Sequence, residues 1–122
     1  VVQNRLSQTV GCSTFNQSCA SSFVNEFGLK AFRRPLTTTE RDSYVNLFMS
    51  ARDLAGGAEK VVKGMLISPH FLYRPELGTS QGDSYRLTPY ETASLLSYTF
   101  TGSTPDTTLL TAAANNQLQT RE

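Results

Sequence analysis

The fold of this chain is decided by residues 17–54, QSCASSFVNEFGLKAFRRPLTTTERDSYVNLFMSARDL. Apolar residues recur at every fourth position in the first half of this stretch: Cys19, Phe23, Phe27 and Ala31. A repeat of that length places the apolar side chains on one face of an α-helix. The spacing predicts a helix over residues 17–32, which ends before Pro35 because the residue preceding a proline is driven out of the helical region.

Similar patterns predict four more helices. The second follows the threonines after Pro35, which offer an N-cap, and it is expected to stop at Gly56-Gly57. The fourth is capped by Thr88 and starts at Pro89, a residue that suits the first helical position. Residues 75–86 are rich in glycine, proline and small polar residues and are predicted to form a surface loop. The predicted helices cover residues 17–32, 39–54, 58–68, 89–101 and 105–114.

These patterns indicate an all-α protein, an irregular domain of five helices with long polar loops and no sheet. The length of 122 residues suits a single hydrophobic core. Eleven basic and ten acidic residues give a net charge of +1, so no overall field attracts nucleic acid. The longest apolar runs, such as Met65-Leu66-Ile67, fall far short of the ~20 residues that span a bilayer. We therefore expect no nucleic-acid partner and no transmembrane segment, and we expect that both ends are cut from a longer protein.

Three motifs stand out from this background. They read AFRRPLT at residues 31–37, SPHFLYRPE at residues 68–76 and YRLTPYETASLLSY at residues 85–98. In this order they resemble two adjacent families of domains of unknown function that were first catalogued in planctomycetes. The resemblance divides the chain into an N-terminal AFRRPLT-type helical segment, residues 1–65, and the start of an SPxFLYR-type helical domain, residues 66–122. It implies one packed unit that is incomplete at its C terminus.

The resemblance implies a setting rather than an activity. Such families occur in large exported proteins of planctomycetes, myxobacteria and related bacteria, often beside domains that resemble c-type cytochromes. An exported protein, periplasmic or at the cell surface, is therefore expected. Its partners are expected to be other protein domains or subunits, c-type cytochromes among them, and no cofactor is expected in this chain.

Cys12 and Cys19 are separated by six residues, which matches neither the C-x-x-C of zinc and thioredoxin sites nor the C-x-x-C-H of covalent haem. The exported setting favours a disulfide between them, and the alternatives are two buried free thiols or a metal-binding or redox-active pair. If both lay on one helix, their Cα atoms would be ~10 Å apart, too far for a disulfide. Cys12 must therefore lie outside the first helix if the bond forms.

His70 is the single histidine, at a helix junction where a cap, a metal ligand or a haem ligand is conceivable. No Cys, Asp or Glu stands at ligand spacing, so a structural histidine is favoured and a ligand is the alternative. No serine or threonine lies in a G-x-S-x-G motif or beside a local His/Asp partner, so nucleophilic catalysis has no support.

Four arginines lie beside breaks in the chain: Arg33, Arg34, Arg74 and Arg86. One interpretation places Arg33 and Arg34, together with Lys30, at a helix C terminus, where cations favour the carbonyl end of the helix dipole. The sharper prediction pairs all four arginines with buried carboxylates such as Glu76 and Glu91, since guanidinium groups form bidentate bonds that fix loops against helices. In that case they would organise the junction between the two domains. Binding of a phosphate or a glycan is a third interpretation.

The sequence thus favours a non-catalytic helical module, structural or partner-binding, within an exported and cytochrome-associated bacterial assembly. The alternative is part of a redox or other enzyme whose active site is completed by segments or subunits outside this chain, with His70 and the four arginines as contributors. A carbohydrate-binding module is a third hypothesis, which requires exposed coplanar aromatic side chains.

Overall fold

The computed structural model describes residues 10–118, and in this range the chain is mainly helical with one small sheet. The helices are α1 (Gln17–Phe32), α2 (Thr38–Met49), α3 (Leu54–Leu66), α4 (Pro69–Leu72), α5 (Pro89–Thr101) and α6 (Thr107–Ala114). The strands are β1 (Thr79–Gln81) and β2 (Ser84–Arg86). The chain divides into two compact units, the first ending at Leu72 and the second beginning at Tyr73. The arm or short helix predicted at the N terminus falls largely on residues 1–9, outside the described residues.

The first unit is built on three helices that start with side-chain caps. Asn16 accepts a hydrogen bond from the backbone N–H of Cys19 at 2.8 Å, and Asp53 does the same for Gly56 at 2.7 Å. Thr37 and Glu40 form a reciprocal capping box at the start of α2. The core between these helices contains fully buried side chains, the largest of which are Val24, Phe48, Val61 and Met65.

The expectation that Gly56-Gly57 ends the second helix was wrong. Helix α2 already ends at Met49, and both glycines lie inside α3. Gly57 is buried against Phe48, and a Cβ atom built on it would lie 2.9 Å from Phe48 Cδ1. The glycine therefore serves the close packing of two helices rather than a break between them.

Replacing Gly57 with alanine is expected to lower the free energy of unfolding by about 1–2 kcal/mol, because the added methyl overpacks a fully buried ring. Gly64→Ala in the same helix is the matched control. Its Cβ would contact Leu47 Cδ2 at 3.3 Å and Tyr44 Cε1 at 3.4 Å, less closely than the 2.9 Å at Gly57. The better helix propensity of alanine should therefore leave stability unchanged or raise it by up to ~1 kcal/mol. Urea unfolding measures both variants, and equal midpoints would contradict the packing argument.

In the second unit, the predicted loop over residues 75–86 contains a β-hairpin, so the expectation of no sheet was wrong. β1 and β2 pair antiparallel, with Gln81 opposite Ser84 and the two residues Gly82-Asp83 between them. Gly82 has φ +66°, a conformation that a two-residue hairpin loop requires and glycine adopts without strain. Both strands are exposed over their whole length. Polar strands without an apolar face explain why no alternating pattern was visible.

Helices α5 and α6 complete the second unit. Thr88 and Glu91 form a second capping box, with Pro89 in the first turn of α5, as predicted from the sequence. Gly102 ends α5 in the left-handed region with φ +66°, and Asp106 caps α6 by accepting from Leu109 N–H at 2.8 Å. None of the helices in residues 10–118 combines the length and apolar character that crossing a bilayer takes.

Candidate functional site

Charged and aromatic side chains meet in the first unit where α1 ends, α2 begins and α4 packs against them. We call this group the Arg-Glu-His cluster, and it consists of Phe32, Arg33, Arg34, Glu40 and His70. It forms because the AFRRPLT motif ends one helix and caps the next within a few residues. The AFRRPLT motif, one of the three that carried the resemblance, is therefore a structural junction of the first unit.

Arg33 is the buried member of the Arg-Glu-His cluster, with 4% of its surface exposed. Its backbone has φ 59°, the left-handed conformation that glycine usually supplies after a helix. Its guanidinium donates to the backbone carbonyl of His70 at 2.9 Å and to that of Phe71 at 3.3 Å. One residue therefore ends α1 and also ties the short helix α4 to it.

Arg34 and Glu40 form a two-pronged ion pair. Arg34 Nη1 and Nη2 donate to the two Glu40 carboxylate oxygens at 2.9 and 2.8 Å. Glu40 also accepts the Thr37 N–H at 2.8 Å, so its carboxylate serves the helix cap and the arginine together. The hydrogen bonds from Arg34 lower the pKa of Glu40 to about 2, against an opposing effect of burial and with further lowering by Thr37. In turn, Glu40 raises the pKa of Arg34.

His70 lies at the solvent edge of the cluster. Its Nε2 atom is 3.4 Å from Glu40 Oε1, and half of its side chain is exposed. Its ring packs against Phe32 with 5.3 Å between centroids. The side chain is thus held in place, and the exposed half of the ring is turned toward solvent.

The cluster has little capacity for chemistry beyond these contacts. Both oxygens of Glu40 and the guanidinium of Arg34 are used within it. In residues 10–118, no three His, Cys, Asp or Glu side chains converge where a metal ion would be held. Over the same residues, every buried side-chain nitrogen or oxygen has a hydrogen-bond partner.

The ion pair makes stability depend on acid pH. Because the pKa of Glu40 is about 2 in the folded protein and near 4.5 otherwise, its contribution is complete above pH ~5 and disappears as the pH falls toward 2. We expect that loss to be about 1–2 kcal/mol relative to Glu40→Gln, allowing for solvent screening. Urea unfolding of both proteins at pH 6 and pH 2.5 measures it.

Glu26→Gln supplies the control for this pH experiment. Glu26 pairs with Lys30 on the open surface of α1, so its loss should change stability at neutral pH by less than ~0.5 kcal/mol. If wild type and Glu40→Gln lose stability in parallel as the pH falls, the Arg34–Glu40 pair does not stabilise the folded state.

The other predicted site residues, Arg74, Glu76, Arg86 and Glu91, lie in the second unit, and their surroundings differ. Arg74 places its guanidinium carbon 4.6 Å from the centre of the Tyr98 ring, a cation–π contact. Arg86 ends the exposed strand β2, and Glu76 is exposed on the segment before β1. The carboxylate of Glu91 accepts backbone N–H groups from both sides of the hairpin.

Those donors to Glu91 are Leu77 at 3.0 Å, Gly78 at 3.2 Å and Thr88 at 2.7 Å. Burial opposes the ionisation of Glu91, but the hydrogen bonds from Thr88, Gly78 and Leu77 outweigh it and lower its pKa. Glu91 therefore fixes the base of the hairpin to the start of α5. The prediction gave Glu91 arginine partners, whereas the donors named here belong to the main chain.

Cys12 and Cys19 form a disulfide, with 5.9 Å between their Cα atoms. Cys12 precedes α1, as the bond requires, and Cys19 lies in its first turn. Beside the bond, Val10 is buried in the core, and the Phe15 ring stacks on Phe48 at 5.6 Å. The bond therefore holds the segment before α1 against the core.

One surface feature was not predicted. An open groove of about 430 Å³ lies between helices α5 and α6, and it is lined mainly by uncharged side chains. Large exposed apolar side chains are also concentrated after residue 65: Leu66, Ile67, Leu72, Tyr73, Leu77, Tyr85, Leu95, Leu96 and Phe100. The signal in the sequence was the scarcity of charge, since Glu91 and Asp106 are the only charged residues between positions 87 and 118.

Comparison with family models agrees with the motifs. Residues 19–76 match the PSD5 family, described as a protein of unknown function (DUF1595). Residues 87–122 match the PSD4 family, described as a protein of unknown function (DUF1592). Comparisons with curated proteins and with solved structures gave no match. The resemblance to two adjacent domains of unknown function is therefore confirmed.

Proposed function

We propose that this chain, which carries two adjacent domains of unknown function, is a non-catalytic helical module that binds a protein partner within an exported bacterial protein. The observation that supports this proposal most is that the charged and the exposed apolar side chains have different uses. The charged groups Arg33, Arg34, Glu40 and Glu91 are engaged in holding helices and loops together. The exposed apolar side chains are left for contact with other molecules, which is typical of interaction surfaces.

The setting of the module is proposed on two grounds. A disulfide persists in oxidising compartments, so the bond between Cys12 and Cys19 supports an exported protein, periplasmic or at the cell surface. The resemblance of the three motifs to cytochrome-associated proteins supports a c-type cytochrome domain or subunit as one partner. Contact with such a partner requires no reactive group in this chain.

The competing proposal is that the chain contributes to a redox enzyme completed by other segments or subunits. It rests on His70, because half of the imidazole is exposed and Nε2 lies near a carboxylate, an arrangement found around metal-binding histidines. The carboxylate concerned, Glu40, is already committed to Arg34 and Thr37. That commitment favours the non-catalytic proposal.

A visible absorption spectrum of the protein purified from its native source, before and after dithionite, tests the two proposals. If the module is non-catalytic, the isolated chain should show no Soret band. A Soret band should appear only when a separable haem-containing partner is present. A Soret band that stays with the chain and disappears in His70→Ala would overturn the non-catalytic proposal. His70→Gln is the matched control, since glutamine keeps a polar side chain at this position but does not supply an imidazole ligand.

A further inference from the structure

The two residues of the Cys12–Cys19 disulfide differ in their exposure to solvent. Cys19 is 5% exposed and belongs to the core of the first unit, whereas Cys12 is only partly buried at the edge of that core. The neighbours of Cys12 in the sequence, Gly11, Ser13 and Thr14, are all exposed. A nucleophile dissolved in water therefore has access to Cys12, while the core shields Cys19 from it.

The backbone around the two cysteines differs as well. Cys19 lies in the first turn of α1, and its N–H donates to the capping side chain of Asn16 at 2.8 Å. Cys12 lies in the irregular segment between Gly11 and Asn16, outside any helix or strand. Because helical hydrogen bonds and the cap fix Cys19, Cys12 is the half of the bond that moves when the bond opens.

Two apolar side chains hold the segment on either side of Cys12. Val10 is 4% exposed within the core, and the Phe15 ring stacks on Phe48 with 5.6 Å between centroids. These contacts do not involve the sulfur atoms, so they still hold the segment near the core, more loosely, when the disulfide opens. Cys12 then stays close to Cys19, and a neighbouring thiol reacts at a far higher effective concentration than one in solution.

The local sequence places no charge beside Cys12. Residues 10–18 read VGCSTFNQS and include no acidic or basic side chain. An anionic thiol compound such as glutathione is therefore not repelled by the neighbours of Cys12 in the sequence. Since Cys12 is only partly exposed, a small thiol reaches its sulfur more readily than a thiol carried on another protein.

We propose that Cys12 is a site of reversible modification by a low-molecular-weight thiol, with Cys19 as the buried thiol that reverses it. The thiolate of the small molecule attacks Cys12 Sγ and forms a mixed disulfide there. The electron pair of the broken S–S bond leaves with Cys19, which takes a proton from solvent. In the reverse step, the Cys19 thiolate attacks Cys12 Sγ and expels the small thiolate. One S–S bond breaks and one forms in each direction, so the exchange requires no oxidant.

This inference goes beyond the proposed partner-binding function and depends only on the disulfide. Opening the bond through Cys12 loosens the segment before α1 and leaves the Asn16 cap of α1 in place. The first unit then responds to thiols in its surroundings while it remains folded.

Reduced glutathione acting on the folded wild-type chain tests the proposal. The reaction is stopped with acid, free thiols are alkylated in denaturant, and chymotryptic cleavage after Phe15 separates the two cysteines for mass spectrometry. Glutathione should be found on Cys12 at least ~10-fold more often than on Cys19, because the core shields Cys19. The same chain unfolded in urea is the matched control, in which both sulfur atoms are exposed and the ratio should fall to within about 2-fold.

Two single variants measure the same difference without the return step. In Cys19→Ser, the Cys12 thiolate should attack oxidised glutathione, expel one glutathione thiolate and keep a stable adduct, because no second thiol removes it. In Cys12→Ser, the buried Cys19 thiol should react at least ~10-fold more slowly. Far-ultraviolet circular dichroism checks that both variants are folded. The wild-type experiment decides the matter if one of them is not.

Equal labelling of the two cysteines in the folded chain, or a preference for Cys19, overturns the proposal. So does a bond that resists glutathione until the chain unfolds. A preference for Cys12 that persists in urea also overturns it, because the preference would then arise from the local sequence and not from burial. None of these outcomes affects the proposed function, which the Soret band tests separately.

Discussion

Replacing Arg33 with alanine is expected to lower the free energy of unfolding of the first unit by about 3 kcal/mol. The guanidinium is buried and donates to the carbonyls of His70 and Phe71, so its removal leaves two acceptors without this donor and opens a gap in the packing. Helix α4 has four residues and cannot form on its own, so it should detach first.

The backbone of Arg33 allows the side-chain effect to be isolated. Alanine suffers the same left-handed strain as arginine at φ 59°, whereas glycine relieves it by about 1 kcal/mol. Arg33→Gly should therefore be less harmful than Arg33→Ala by that amount and still clearly destabilised. Arg33→Lys should recover only part of the loss, because a lysine amine does not reproduce the planar guanidinium.

Arg41→Ala is the control for an arginine that contributes little. Arg41 pairs with Asp42 on the surface of α2, and such pairs are worth less than ~1 kcal/mol. Urea unfolding followed by circular dichroism compares the four variants with wild type. If Arg33→Ala and Arg41→Ala shift the midpoint equally, Arg33 does not hold α4, and its burial has another purpose.

The elements that the sequence predicted well are those in which the cap and the apolar face agree. Helix α1 matches the predicted range 17–32, and α5 matches 89–101, where Thr88, Pro89 and Glu91 mark the start in the sequence itself. Local signals suffice here because capping involves residues three positions apart. Helix α6 begins later than predicted, at Thr107, because Asp106 rather than an earlier residue provides the cap.

The elements that were missed depend on contacts between distant residues or on weak local signals. In the sequence, Gly57 indicates the end of a helix, and only its contact with Phe48 in the structure explains why it lies inside one. The hairpin had one local signal, Gly82-Asp83 between two short runs, but its strands lack the apolar alternation that identifies a buried strand. In both cases the composition suggested a break, and tertiary packing or a turn decided otherwise.

For the candidate site, too, local features could be predicted from the sequence and distant contacts could not. Their position beside chain breaks predicted a structural role for Arg33 and Arg34, but it did not predict their acceptors. The acceptor of Arg34 is Glu40, six residues away, because the turn at Pro35 and the capping box bring them together. Two acceptors of Arg33, the carbonyls of His70 and Phe71, lie about forty positions away. Any residue can supply a carbonyl, so no sequence pattern identifies them.

Reduction of the bond between Cys12 and Cys19 is expected to lower the free energy of unfolding by about 2.5 kcal/mol, the loop-closure entropy of a loop this short. The effect should be concentrated where Val10 and Phe15 cover the core, because the bond holds that segment in place. Hydrogen exchange should therefore rise first in the segment before α1 and in the first turn of α1.

The measurement compares urea unfolding of the wild type with and without a reductant, next to the double variant Cys12→Ala/Cys19→Ala. The double variant should match the reduced wild type and should not respond to reductant, which excludes an unspecific effect of the reagent. Non-reducing mass spectrometry after alkylation establishes the starting state. If both thiols are alkylated in the folded native protein, no bond exists, and the proposal of an exported module loses its support from Cys12 and Cys19. The capping by Asn16 would still fix the start of α1, so the helix would persist without the clamp.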